Sequence, residues 1–285
     1  MVIDGGGSTC RARLVHRDGM VAGTATGGPS NVASAPDIAR ATIVQTLSAA
    51  YQDAGLDPSP RDAHFLALAG ISATDDFLSK LKTEITASTV KLVSDLDAGV
   101  CAALGGNDGV VINVGTGSYF VAQKSGKQRR IGGRGYLISD ECSGAWLGLK
   151  LLKAVVRAHD GLIDPTTLTQ NVVSQCGGTI GDVSRFSMKA TPQKFASFAP
   201  MIVKGLKNSD AVAKGIFDKA LNRMCDNLDA LGATSLGRIV LVGGLADTYQ
   251  KLLPPKYKEI CAAPYGDTLD GAVMLALQDV SGESA

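Results

Sequence analysis

The chain opens with Val2-Ile3-Asp4-Gly5-Gly6-Gly7-Ser8-Thr9, a short apolar run, one carboxylate and a glycine-rich turn. A second apolar segment follows at residues 10–15, so the turn is expected to join two strands of a β-hairpin. The same pattern returns at Ile112-Asn113-Val114-Gly115-Thr116-Gly117-Ser118, with strand-like residues 119–123 after it. Two copies of one strand–turn–strand unit predict an α/β protein built from two related lobes.

Strand-like and helix-like segments alternate around the two hairpins. The predicted further strands are residues 20–26, 64–69, 90–93, 109–114 and 238–242, and the predicted helices are residues 36–54, 74–85, 98–104, 145–159, 165–175, 191–206, 210–231 and 269–280. In the first helix, Ile38, Ile43, Leu47 and Tyr51 are expected to share the buried side. We predict an N-terminal lobe at residues 1–105, completed by a returning helix at about 271–285, and a C-terminal lobe at residues 106–270.

Composition excludes several functional classes. The net charge of the 285-residue chain is +1 and no basic run occurs, which argues against a nucleic-acid partner and against a polybasic membrane patch. No apolar stretch reaches the roughly 18 residues of a membrane span, and no signal-peptide pattern is found. Six scattered cysteines form no CxxC pair, which favours free thiols. We therefore expect a cytoplasmic protein.

The first glycine loop has the composition of a phosphate site. Asp4 follows a strand at the sheet edge where α/β proteins bind ligands, and Gly5, Gly6 and Gly7 leave backbone N–H groups free for phosphate oxygens. Ser8 and Thr9 add hydroxyl donors. A carboxylate so near a polyphosphate would need a divalent cation such as Mg²⁺ between them. A tight hairpin with Asp4 as a turn residue explains the motif equally well, and no Walker lysine follows.

A second phosphate loop is predicted at Gly115, Thr116, Gly117 and Ser118. One such turn is a common hairpin, but two placed symmetrically favour a clamp on a nucleoside triphosphate. Gly243-Gly244 follows the predicted strand 238–242 and would admit a flat ring, such as adenine, against the backbone. A plain strand-to-helix turn is the alternative for that pair.

Asp95 and Asp97 are candidates for a general base that takes the proton of an attacking hydroxyl. Asp95 follows a predicted strand and precedes a helix, so it could instead cap that helix.

Two nearby loops have the composition of a sugar-binding edge, because carboxylates and backbone groups suit vicinal hydroxyls. Their candidate residues are Gly133, Arg134, Gly135 and Asp140. A surface loop with a helix N-cap at Ser143 is the other interpretation.

Taken in order, the motifs resemble those of a known family. They are D-G-G-G-[ST]-x-x-R, then S/T-D, then G-T-G-S, then G-G-x-G with a following S-D-x-x-S-G, and a late G-G. This order is similar to that of the bacterial glucosamine and N-acetylglucosamine kinases, in the benzoyl-CoA reductase activase-type ATPase group of the actin/hexokinase-like superfamily. The resemblance covers nearly the whole chain. It implies two RNase H-like lobes, each a mixed sheet with helices, with ATP and the sugar bound in the cleft between them.

The resemblance also implies roles for single residues. Asp4 is expected to be associated with Mg²⁺, and Asp95, in preference to Asp97, to be the catalytic base facing the 6-hydroxyl of glucosamine or N-acetylglucosamine. The implied nucleotide-binding residues are Gly5, Gly6, Gly7, Ser8, Thr9, Gly115, Thr116, Gly117, Ser118, Gly243 and Gly244. The implied sugar-binding residues are Asn31, Asp95, Gly133, Arg134, Gly135 and Asp140. Relatives are often dimers, which makes a homodimer an expectation.

Departures and alternatives accompany the resemblance. The strand before Asp4 is shorter than in relatives, and Arg134 occupies a variable position, so sugar selectivity does not transfer. A reductase-activating ATPase would need cysteines for an iron–sulfur cluster, for which Cys142 and Cys176 lack the local pattern. A sugar or nucleotide sensor without catalysis would be expected to lose Asp95.

Overall fold

The computed structural model describes residues 1–71 and 75–281. The chain divides into two compact units: unit 1 is Met1–Gly106 with Pro264–Ala285, and unit 2 is Asn107–Ala263. Residue 74, where the second helix was predicted to begin, and residues 282–285 of the predicted returning helix lie outside the described residues. Within residues 1–71 and 75–281, no helix has the length and apolar character needed to cross a bilayer.

Strands and helices follow one another along both units. The strands are β1 (Val2–Gly5), β2 (Cys10–Val15), β3 (Val21–Gly27), β4 (Ala63–Leu68), β5 (Thr89–Ser94), β6 (Gly109–Val114), β7 (Ser118–Lys124), β8 (Lys127–Gly132) and β9 (Ile239–Val242). The helices are α1 (Pro36–Ala54), α2 (Asp75–Glu84), α3 (Asp95–Leu104), α4 (Gly144–His159), α5 (Thr167–Cys176), α6 (Ile180–Lys189), α7 (Pro192–Ala196), α8 (Ala199–Lys207), α9 (Ala211–Ala230), α10 (Ala233–Leu236), α11 (Ala246–Leu252), α12 (Pro255–Lys258) and α13 (Thr268–Ser281). The sequence analysis did not predict strand β8 or helix α6. It also missed the short helices α10, α11 and α12.

The sheet of unit 1 has the strand order β3-β2-β1-β4-β5. β1, β2 and β3 are antiparallel neighbours, whereas β1, β4 and β5 run parallel. Gly5 pairs in register with Leu68, and Leu68 with Ser94. The carboxyl ends of three parallel strands therefore lie side by side. β1 leads into the first glycine loop, and β5 leads into Asp95.

The sheet of unit 2 repeats this arrangement in the order β8-β7-β6-β9. β6 forms an antiparallel hairpin with β7 and pairs in parallel with β9, where Asn113 lies opposite Val242. In both units a central strand thus enters a glycine hairpin on one side and has a parallel neighbour on the other. The two hairpins predicted from the repeated glycine motif are confirmed.

Helix α1 has the predicted bounds but not the predicted buried face. Ile43, Leu47 and Tyr51 are buried, whereas Ile38 is 61% exposed, so that prediction was wrong. Positions 38 and 43 are five residues apart. At about 100° per residue, this turns Ile38 away from the buried face that Ile43 shares with Leu47 and Tyr51. Ala39, four residues before Ile43, takes its place in the core.

Helix α13 closes unit 1 against α3 and β2. A Cβ on Gly271 would lie 2.0 Å from the Ala98 carbonyl oxygen, so the two helices touch through backbone. The guanidinium of Arg13 pairs with Asp270 at 2.7 Å at the start of α13. Residues 264–270 had been predicted to belong to the C-terminal lobe, but the structure places them in unit 1.

Unit 2 is mostly helical, with its core around α4. Ser143 caps α4 by accepting from the Trp146 N–H at 3.1 Å, as the sequence allowed. The single helix predicted at residues 191–206 is two helices, α7 and α8. The break has a local cause, since Pro200 lacks an N–H and is favoured only in a first helical turn.

Candidate active site

The first glycine loop is a tight hairpin with an exposed tip. The Gly6 N–H donates to the Thr9 carbonyl oxygen at 2.9 Å, and Gly7, Ser8 and Thr9 are solvent-exposed. Gly5 has a packing role, because a Cβ there would lie 2.5 Å from Leu68 Cδ2. The loop therefore presents small residues and free space at its tip, but the prediction that the Gly6 N–H is free for a phosphate was wrong, because the hairpin itself uses that donor.

Asp4 is held by an arginine of the same hairpin. Its side chain is 16% exposed, and Asp4 Oδ2 accepts from Arg11 Nη2 at 2.6 Å and from Arg11 Nε at 3.2 Å. Arg11 also pairs with Asp267 at 2.6 Å. Within residues 1–71 and 75–281, no cluster of three or more His, Cys, Asp or Glu could enclose a metal. Mg²⁺ bound to phosphates needs only one or two protein carboxylates. Arg11 contacts only Oδ2 of Asp4. Asp4 therefore fits Mg²⁺ as its one carboxylate ligand, bound directly or through a water.

Asp95 is the first residue of α3 and lies at the same sheet edge as Asp4. β4 lies between β1 and β5, so two strand spacings of about 4.8 Å separate them. The end of β1, with Asp4, is therefore about 10 Å from the end of β5, which Asp95 follows. Ser94 caps α3 by accepting from the Leu96 N–H at 3.0 Å, so the interpretation of Asp95 as the cap was wrong. The Asp95 side chain reaches solvent, yet surrounding protein raises its pKa by desolvation, and the charges of Asp4 and Asp97 raise it further.

Asn31 lies between the first glycine loop and the residues that follow β4. The adjacent Ser30 N–H donates to the Gly6 carbonyl oxygen at 2.9 Å, and the Val32 N–H donates to Ala69 at 3.0 Å. The side-chain oxygen of Asn31 accepts from the N–H groups of residues 33 and 34. Asn31 thus keeps its amide N–H groups as donors for a ligand hydroxyl.

In unit 2 the second glycine loop is tied to the start of α4. The N–H groups of Gly144 and Ala145 donate to the carbonyl oxygens of Gly115 and Thr116 at 2.8 and 3.1 Å. These bonds turn the carbonyls toward the helix and fix the conformation of the loop. Ser118 does not face a ligand, because its buried hydroxyl donates to the Glu141 carbonyl oxygen at 2.6 Å.

Asp140 connects the two predicted loops of unit 2. It is buried and adopts φ 48°, and its Oδ1 accepts from the Gly135 N–H at 3.1 Å. A Cβ on Gly117 would lie 2.9 Å from Asp140 Oδ2. The structure therefore brings Asp140 close to Gly135 of the predicted sugar-binding loop and to Gly117 of the second glycine loop.

Arg130, rather than Arg134, organises the glycine loop after β8. The Arg130 guanidinium donates to the carbonyl oxygens of Gly132 and Gly133 at 3.2 and 2.6 Å. Gly133 has φ 70°, a conformation that favours glycine. Arg134 is exposed to solvent, and Arg130 is a structural residue that the sequence analysis missed.

Gly243 and Gly244 have different roles at the end of β9. Gly243 has φ 97°, and a Cβ there would lie 2.7 Å from the Val114 carbonyl carbon and oxygen, so it serves packing. Among residues 1–71 and 75–281, no heavy atom beyond its two chain neighbours lies within 4 Å of a Cβ placed on Gly244. Gly244 lines a cavity of about 680 Å³ that Gly115 and Thr116 also border.

The wall of this cavity comes from residues that sequence reasoning missed. Its apolar part is Ala196, Ala199, Pro200 and Val203 of α7 and α8, and Leu245. Its polar part is Lys204, Lys207 and Thr248. An apolar pocket with a few polar groups, open to a glycine loop, has the size and chemistry of a nucleotide site. No sequence pattern connected α8 with residues 115–116, since only the tertiary fold brings them together.

Comparisons with known proteins identify the family. The model of the BadF/BadG/BcrA/BcrD ATPase family matches residues 3–273, so the chain belongs to this family. Glucosamine kinase GspK of Vibrio cholerae serotype O1 is 30% identical over 276 residues, which are 96% of this chain and 94% of that protein. The family predicted from the motifs is confirmed.

Solved structures agree with this assignment. A candidate N-acetylglucosamine kinase of Chromobacterium violaceum superposes with a TM-score of 0.83 at 31% identity, covering 97% of each chain. A ROK-family glucokinase of Streptomyces griseus superposes with a TM-score of 0.53 at 15% identity, over 96% of this chain and 97% of that chain, which shows the fold alone. The predicted α/β class, of the actin/hexokinase-like type with two mixed sheets, is confirmed.

Proposed function

We propose that the protein is an ATP-dependent kinase that phosphorylates the 6-hydroxyl of an amino sugar. The observation that carries the proposal is the grouping, at one sheet edge of unit 1, of a glycine loop, the carboxylate of Asp4 and the carboxylate of Asp95. The full-length similarity to a protein named as a glucosamine kinase supports the same reaction class.

Asp95 is assigned the role of general base. Its raised pKa makes it a better proton acceptor than an ordinary aspartate, and its position at the start of α3 leaves the carboxylate accessible to a hydroxyl. Asp4 would hold Mg²⁺, which when bound neutralises charge on the phosphates. Arg11 keeps Asp4 in place by bonding to one of its carboxylate oxygens. Asp97 remains the alternative base.

Unit 2 is assigned the binding of the nucleotide. The open space above Gly244 and the apolar wall of α7 and α8 suit an adenine ring, and Lys204 and Lys207 supply positive charge. The Gly115 N–H donates to the Gly117 carbonyl oxygen at 2.9 Å, so the N–H groups of Thr116 and Gly117 are the ones that suit phosphate oxygens. The hydrogen bonds from α4 already fix the conformation of this loop. The loop therefore loses less conformational entropy when it binds a phosphate.

Asn31 and Asp140 are assigned contacts with sugar hydroxyls, the first as an N–H donor and the second as an acceptor. Two relatives, at 30% and 31% identity, carry the names of different sugars, glucosamine and N-acetylglucosamine. Arg134 is exposed to solvent. We therefore propose an amino sugar as the class of substrate, with cytoplasmic location and a homodimer as accompanying sequence-based expectations.

Release of ADP in a coupled assay tests the proposal. Mg·ATP is supplied with glucosamine, N-acetylglucosamine, glucose, N-acetylmannosamine or no sugar, and the phosphorylated position is determined by NMR. We expect strong release with one amino sugar and little without sugar. Equal release in all samples would refute a sugar kinase and favour the reductase-activating ATPase.

That ATPase alternative gains no support from the cysteines. Cys142 is buried, its Sγ donates to the Ala220 carbonyl oxygen at 3.1 Å, and burial raises its pKa. A thiol with a raised pKa is a poor source of the thiolate that an iron–sulfur cluster needs.

A further inference from the structure

Unit 2 contains a second cavity, of about 640 Å³, that shares no lining residue with the nucleotide cavity. It lies along α4 and α9, and we call it the basic groove. Four side chains supply its apolar surface: Ala154, Ile163, Val212 and Ile216. Four cations also line it: Lys150, Lys153 and Arg157 of α4, and Lys219 of α9.

The cations of the basic groove are concentrated on neighbouring helix faces and outnumber the acids around them. Lys150, Lys153 and Arg157 are spaced i, i+3 and i+7, which aligns them on one face of α4. In the described parts of the chain, none of the four cations lies within 4.0 Å of a carboxylate oxygen. Asp164 is the single acid among the lining residues, so the lining carries a net charge of +3 in a chain whose total is +1.

Lys150 is the least exposed of these cations. Its Nζ lies 4.8 Å from the centroid of the Trp146 ring, an aromatic contact that holds the ammonium group in place. Burial lowers the pKa of Lys150, and the neighbouring charges of Lys153 and Lys219 lower it further. The positive charges therefore repel one another, and a bound anion would relieve that repulsion.

We propose that the basic groove binds a small organic phosphate, with its anionic group among the four cations and its apolar part against Ala154, Ile163, Val212 and Ile216. Inorganic phosphate would leave the apolar surface in water, and a neutral apolar ligand would leave the cations unpaired. Because the basic groove and the nucleotide cavity have no lining residue in common, this site is independent of the proposed kinase activity.

The chain carries its own reporter for this site. Trp146 is the one tryptophan of the chain, and its ring contacts Lys150. Phenyl phosphate is the probe, inorganic phosphate is the control ligand, and the full chain is titrated at low salt while its tryptophan fluorescence is followed. The titration is repeated in a Gly244→Val background, which obstructs the nucleotide cavity, so that binding there is told apart from binding in the basic groove.

Two triple variants distinguish specific binding in the basic groove from general attraction of anions to a positively charged surface. The test variant is Lys153→Gln, Arg157→Gln and Lys219→Gln, which keeps the Lys150–Trp146 pair. The control variant is Lys124→Gln, Lys189→Gln and Lys251→Gln, which removes the same charge from exposed positions elsewhere in unit 2. Unchanged thermal unfolding confirms that both variants fold.

We expect saturable binding of phenyl phosphate, weakened about tenfold in the test variant and less than twofold in the control variant, since three partly exposed ion pairs together give about that effect. Inorganic phosphate is expected to bind about tenfold more weakly than phenyl phosphate. Equal loss in both variants, or none in the test variant, would overturn the site. Equal affinity for the two ligands would overturn the role of the apolar surface.

Discussion

Replacing Gly271 by alanine tests whether packing of α13 positions the proposed base. The added Cβ would lie 2.0 Å from the Ala98 carbonyl oxygen and 2.6 Å from the Ala102 N, both backbone atoms of α3. A carbon–oxygen contact needs about 3.3 Å, so the helices must separate by about 1 Å. Overpacking of this kind costs up to about 3 kcal/mol of unfolding free energy. The better helix propensity of alanine offsets about 1 kcal/mol of that loss.

The same displacement is expected to reach Asp95, which begins α3. A misplacement of about 1 Å can lower turnover about 100-fold, so Gly271→Ala should lose both about 2 kcal/mol of unfolding free energy and most of its kcat. Urea unfolding and the coupled ADP assay measure the two effects.

A matched glycine provides the control for this variant. Gly215 lies inside α9 with no atom within 4 Å of its added Cβ, so Gly215→Ala should keep full turnover and gain about 1 kcal/mol. If Gly271→Ala retains kcat within twofold while losing stability, the movement of α3 does not reach Asp95. If it loses neither, the packing argument is wrong.

Three further predictions concern single sites. Asp95→Asn should lower kcat about 10²–10⁴-fold with ATP binding kept, whereas an equal loss in Asp97→Asn alone would move the base there. The raised pKa of Asp95 penalises its charged form in the folded state, so Asp95→Asn should also be more stable than the parent at neutral pH, by thermal unfolding. Gly244→Val should raise the KM for ATP and leave the unfolding free energy unchanged, whereas Gly243→Ala should mainly lower the unfolding free energy. If kinetics and unfolding show the reverse, the assignment of the cavity to the nucleotide is wrong. Burial lowers the pKa of His64 to about 4, with the charge of the N-terminal amino group adding to the effect, and the unfolded chain binds the proton from about pH 6.5 downward. Stability from His64 should thus be complete above pH 6.5 and fall by about 3 kcal/mol toward pH 4, a slope that should flatten in His64→Gln if urea unfolding is followed against pH.

Local sequence signals predicted much of the fold. The bounds of α1 and β6, the glycine hairpins and the cap at Ser143 depend on neighbouring residues, and the structure has them as expected. Strand β8 was missed because most of its side chains are exposed and charged or polar, so no alternation of apolar residues marks it. Helices α10, α11 and α12 are too short for a helical period to be visible.

The candidate site was predicted only as far as its motifs extend. The glycine loops and Asp95 stand out because their residue types are unusual at strand ends. Arg11 was quoted as part of a motif, but its bridge to Asp267 spans 256 residues of sequence and could not be inferred. The α8 wall of the nucleotide cavity was equally out of reach, because ordinary apolar residues acquire that role through tertiary packing.

The return of α13 to the first strands has a consequence for the order of events at the ribosome. Leu269 and Ala272 complete the apolar cluster that contains Val2 and Phe65, so unit 1 lacks part of its core until α13 has been synthesised and has emerged. Unit 2 is continuous in sequence, so its folding does not require α13. During synthesis the nascent N-terminal strands must therefore wait, partly uncovered, and we expect premature termination before α13 to yield a folded unit 2 attached to an aggregation-prone unit 1.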